Sequence, residues 1–144
     1  MPTAAGTYIL LLHLRSDKRI EVGRLGRRLF KEGWYAYVGS AFGPGGLAAR
    51  IGRHIRRDKK QHWHIDYLSK CALIKEVWIS TATHPREHEW AERLQNASWV
   101  IGSVEAFGSS DCRCPSHLFH FKKHPGPAKL KRAMGADIIA IKTD

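Results

Sequence analysis

This sequence predicts an α/β fold of the α+β kind, and three observations predict it. Residues 7–14 are apolar on both faces of an extended chain, and residues 34–40 alternate aromatic with small side chains. The stretches 47–57 and 85–96 each carry an apolar stripe at helical spacing. At 144 residues one domain over 1–144 is expected, long enough to bury about 68–70% of its unfolded surface.

In the first strand, Tyr8, Leu10, Leu12 and Leu14 share one face and Ile9, Leu11 and His13 the other, a pattern that suits a central position. Arg15 to Lys18 reads as a turn, and residues 19–22 return as a short strand before Gly23 and Gly26 interrupt it. In the second long strand, alternation gathers Tyr35, Tyr37 and Gly39 on one face, and Gly39 is expected to leave that face open. A turn rich in glycine and Pro44 leads into a basic helix. At about 100° per residue Leu47, Ile51 and Ile55 form its apolar stripe, Arg50, Arg53, His54 and Arg57 lie beside it, and Arg56 faces solvent.

Asp58 to Gln61 is a charged link that adds Lys59 and Lys60, and the aromatic segment 62–68 is expected on a helix. Residues 73–80 form a strand centred on Val77, Trp78 and Ile79. Thr83 is expected to cap a helix that has Pro85 in its first turn and runs to about Asn96. Further on, short strands are expected near 100–104, 117–121 and 138–141. Pro125 and Pro127 precede a small basic helix with Lys129, Lys131 and Arg132.

The helix near 87–96 singles out one acid. With Glu87 at 0°, Ala91 falls near about 40°, Leu94 near about 340° and Trp90 near about 300°, so Glu87 lies on the inward stripe. Glu89 and Glu92 fall on the solvent side. A carboxylate aimed at the protein body requires a cation, a metal or hydrogen bonds.

Lys plus Arg number 24 against 13 for Asp plus Glu, a formal charge of +11 that favours a polyanionic partner. The longest apolar run, residues 8–12, is far too short to span a membrane, and no secretory leader is expected. Three cysteines do not make a disulfide framework, so free thiols in a reducing cytoplasm are expected. Cys112, Cys114, His117 and His120 are soft and borderline ligands close in sequence, and His62, His64 and Asp66 would share a face if extended. Neither spacing matches a common zinc module, because the Cys112 and Cys114 pair lacks a two-residue gap. Buried structural cysteines, and packing or phosphate contacts for His62 and His64, are the expectation.

Gly6-Thr7-Tyr8, Tyr37-Val38-Gly39, Arg50 on the following helix, His54 one turn on and Glu87 in Glu87-His88-Glu89-Trp90 together resemble the GIY-YIG nuclease superfamily. The phrases at 37–41, 62–68 and 110–119 are similar to a less characterised bacterial and archaeal branch of it. The resemblance implies a small antiparallel central sheet that places residues 7–14 beside 34–39, with the helices of Arg50 and Glu87 flanking it. The core would span about 6–96, with a C-terminal extension at about 97–144 that adds strands. It also implies that Glu87 holds one divalent cation, Mg²⁺ or Mn²⁺, and that Arg50 clamps the scissile phosphate. Tyr8 or Tyr37 would activate water, which requires neighbouring cations to lower a phenol pKa of about 10, and His54 would bond the nucleophile or the phosphate.

The implied function is metal-dependent endonuclease cleavage of DNA, structure-specific and related to repair or recombination in the wider expectation. The alternative is a binding module of the same fold with little or no catalysis, favoured by Ser40 where many relatives carry lysine. A third reading is a zinc-stabilised interaction domain. On either nucleic-acid reading Arg53, Arg57, Lys59 and Lys60 join Arg50 as backbone contacts. If about four of the five neutralise phosphates, affinity should fall with salt at a slope near −3.6 on logarithmic axes.

Overall fold

The computed structural model describes residues 1–109 and 112–143. Ser110 and Asp111, part of the third phrase above, lie outside the described residues. In chain order the strands are β1 (Gly6–Leu14), β2 (Lys18–Glu21), β3 (Arg27–Phe30), β4 (Gly33–Ala41), β5 (Leu73–Ser80), β6 (Gly102–Ser103), β7 (Leu118–Phe121) and β8 (Ile139–Lys142). The helices are α1 (Gly46–Ile55), α2 (His64–Leu68), α3 (Glu87–Asn96) and α4 (Gly126–Met134).

Six strands form one antiparallel sheet in the order β6-β7-β4-β1-β5-β8, and β2 with β3 makes a separate hairpin. The fold is thus α+β, with helices on both faces of a central antiparallel sheet. The doubly apolar pattern of β1 is explained by its place between β4 and β5. On one face Tyr8, Leu10, Leu12, Tyr35 and Tyr37 pack with Leu47 and Ile51 of α1 and Ile65 and Leu68 of α2. On the other, Ile9, Leu11, Ala36, Val38 and Trp78 pack with Trp90 and Leu94 of α3 and Leu130 and Met134 of α4.

Several boundaries differ from expectation. Helix α3 begins at Glu87 with Arg86 as its cap residue, so Thr83 does not cap it. The reason is a tertiary contact: the Arg86 N–H donates to Thr7 Oγ1 at 3.0 Å, and its guanidinium is held by Glu89, Asp137 and the Met134 carbonyl. Helix α1 stops at Ile55, where the Lys59 ammonium donates to the carbonyls of His54 and Arg56, both at 2.7 Å, so Arg57 lies beyond the helix. Its inward face is Leu47, Ile51 and His54; Ile55 is 46% exposed and His54 only 2%. The strand near 100–104 shrinks to two residues. The strands expected from the C-terminal stretch are present and join the same sheet, β7 beside β4 on one flank and β8 beside β5 on the other.

Candidate active site

The antiparallel register sets Tyr8 opposite Gly39 and Leu10 opposite Tyr37. Gly39 does not leave the sheet face open, because the Tyr8 ring fills it: a Cβ at Gly39 would overlap Tyr8 Cζ and Oη and come within 2.9 Å of Cε2. From that position Tyr8 Oη meets His54 Nε2 at 2.7 Å, while the Tyr37 ring stands edge-on to the same imidazole. His54 Nδ1 is buried without a hydrogen-bond partner.

Burial governs the protonation of this group. It pushes the Tyr8 phenol well above its ordinary value, Tyr37 beside it adding to the rise, and Arg50 works the other way without prevailing. Burial likewise raises Tyr37, helped by the negative charges of Glu87 and Asp66. The expectation that neighbouring cations lower a phenol therefore fails, because the cost of desolvating a phenolate exceeds what one guanidinium returns. Burial drives His54 the opposite way, down to about 3, so its imidazole is neutral.

Ser40 joins this group to Glu87 across the sheet. Its hydroxyl donates to Glu87 Oε1 at 2.7 Å, and its carbonyl accepts from Arg50 Nη1 at 3.2 Å. Glu87 Oε2 lies 3.3 Å from Nδ1 of the buried His117. The inward phase read from the sequence is thus met by polar partners, which is what a partly buried carboxylate requires. Arg50 and Arg53 flank the Trp63 indole, with guanidinium carbons 4.7 and 4.2 Å from the ring centre. Of the five predicted phosphate contacts, Arg53 is already bidentate to the buried Asp66, at 3.1 and 3.0 Å, and Lys59 closes the end of α1. Arg57 and Lys60 are exposed.

The family model described as Domain of unknown function DUF123 matches residues 7–139. The chain belongs to the DUF123 family. No curated protein and no solved structure matches it.

The matched region of this DUF123 chain contains all of Tyr8, Tyr37, Arg50, His54, Glu87 and His117. Glu87 offers a single, partly exposed carboxylate whose Oε1 already accepts from Ser40.

The histidines and cysteines sort differently from their spacing. His120 stacks on Tyr35 at 4.6 Å and meets the Glu32 carbonyl, away from the cysteines. His88 of α3 takes its place: ligand atoms of His88, Cys112, Cys114 and His117 all lie within 4.8 Å of one another. No sequence signal ties His88 to residues 112–117, because only the packing of α3 against the entry to β7 unites them. Burial, with the neighbouring Cys112 side chain adding to the effect, pushes the Cys114 thiol up to about 11. Residues 62–66 are not extended. Asp66 turns back to accept the N–H groups of His62 and Trp63, and His64 Nδ1 accepts from the Gly108 N–H at 2.8 Å. Among the described residues no helix is long and apolar enough to cross a membrane.

Proposed function

We propose that this chain is a metal-dependent endonuclease of the GIY-YIG type that hydrolyses phosphodiester bonds of DNA in the cytoplasm. The observation that carries this reading is the Ser40 link, through which Tyr8, Tyr37, His54 and Arg50 on one face of the sheet meet Glu87 on the other. Arg50, braced by the Ser40 carbonyl and Trp63, has guanidinium N–H groups left to fork onto a phosphate. Glu87 would hold Mg²⁺ or Mn²⁺, which supplies positive charge for the phosphate as negative charge builds.

Burial of both phenols disfavours a standing phenolate, so on this reading Tyr8, bonded to the neutral His54 imidazole, and Tyr37 hold the floor of the site beside Arg50 rather than serve as the base. A second reading, a binding module with little catalysis, is favoured by the same high phenol pKa values and by Ser40 in place of a lysine.

Labelled branched, flapped, nicked and plain DNA, incubated with Mg²⁺, Mn²⁺ or chelator, separates the two. Cleavage should require metal and vanish in Glu87→Gln, a loss of several kcal/mol of barrier stabilisation by rough expectation. Glu89→Gln, whose carboxylate pairs with Arg86 and Arg93, should keep it. Equal activity in Glu87→Gln and wild type would overturn the metal role, and tight binding with no cleavage in either ion would favour the second reading.

A further inference from the structure

We infer that His88, Cys112, Cys114 and His117 form a zinc site of the two-cysteine, two-histidine kind. Two separate stretches supply the donors: the first turn of α3 and the loop of residues 112–117 that leads into β7. His117 Nε2 already stands 3.3 Å from Cys112 Sγ, and all four ligand atoms lie within 4.8 Å of one another. A tetrahedral ion with sulfur at about 2.3 Å and nitrogen at about 2.0 Å holds neighbouring donors roughly 3.3–3.8 Å apart, so a small contraction completes the shell. A thiol-to-imidazole hydrogen bond accounts for one pair of these donors; it does not account for four converging. Soft thiolates with imidazoles select zinc over the hard cation suited to Glu87.

The other nitrogen of His117 strengthens the assignment. Nδ1 faces Glu87 Oε2 at 3.3 Å, the carboxylate that typically fixes the tautomer and orientation of a zinc-bound histidine. Four protein donors leave no open position, so the ion is structural. It fastens the 112–117 loop to α3 and sets the place of Glu87 through His117. The site stands whether or not Glu87 serves a nuclease.

Cobalt(II) titration of the full chain under reductant, followed by displacement with zinc and elemental analysis of the protein as purified, tests this. One ion per chain is expected, with the ligand-field bands of tetrahedral cobalt and thiolate-to-cobalt charge transfer. Cys114→Ser should abolish the charge-transfer-bearing site, and His88→Asn should weaken cobalt binding at least tenfold. His120→Asn and Cys71→Ser, which lie outside the cluster, should leave it intact. Glu87→Gln should weaken the ion about 10–100-fold without removing it. An octahedral cobalt spectrum in the wild-type chain would overturn the site. So would a site lost in His120→Asn yet kept in His88→Asn. The wild-type spectrum tests the site even where a variant fails to fold.

Discussion

Gly39→Ala tests the geometry on which the candidate site depends. Gly39 is not among the glycines with positive φ, so its backbone accepts alanine without strain. The obstacle is space. The added methyl would overlap Tyr8 Cζ and Oη and stand 2.9 Å from Cε2, where ordinary contacts begin at 3.4 Å, so the ring must withdraw by roughly an ångström. Overpacking of this kind costs about 1–3 kcal/mol. Withdrawal also breaks the 2.7 Å bond to His54, whose Nδ1 is already unpaired, so a second cost of about 1–3 kcal/mol follows. Urea unfolding of Gly39→Ala in the wild-type and Tyr8→Leu backgrounds isolates the contact. Leucine has no atom where Cζ and Oη stood, so the cost in that background should fall below about 1 kcal/mol. The same cost in both backgrounds would refute the reasoning.

Two further predictions rest on neighbouring residues. With Arg53 on Asp66 and Lys59 on the end of α1, about three cations (Arg50, Arg57 and Lys60) remain for phosphates, so log K should fall with log salt at about −2.7 for duplex DNA rather than near −3.6. Fluorescence anisotropy across a salt series measures this, and a slope near −4.5 would mean that Arg53 and Lys59 leave their partners to bind. His54 protonates at about 3 when folded and near its usual 6.5 when unfolded, so the unfolded chain binds the extra proton in between. Its contribution to stability is full above about pH 6.5 and is lost as pH falls toward 3. The wild type should therefore lose about 2 kcal/mol more than His54→Gln between about pH 7 and pH 5, and parallel losses in urea midpoints would contradict the burial of a neutral imidazole.

Much of the architecture was legible because periodicity is a local signal. The two apolar faces of 7–14 announced a central strand, and β1 lies between β4 and β5. The angular position of Glu87 announced a carboxylate turned inward, and it meets Ser40 and His117. What failed was phase at helix ends: the pattern put Ile55 inside and His54 beside it. Apolar spacing cannot register that a tyrosine from β1 offers the imidazole a 2.7 Å partner, which makes burial of the polar ring tolerable.

By itself, then, the sequence determined the apolar faces of the long strands and of α3 and the excess of positive charge, all properties of neighbours along the chain. Tertiary structure decided the rest. It chose the register that fills the space above Gly39 with Tyr8, placed β7 and β8 on opposite flanks of one sheet, tied Arg53 to Asp66, and selected His88 over His120 as the companion of the cysteines. These choices turn on pairings between segments tens of residues apart, where several partners have the right chemistry and only the closed packing of the whole chain brings one of them within bonding distance.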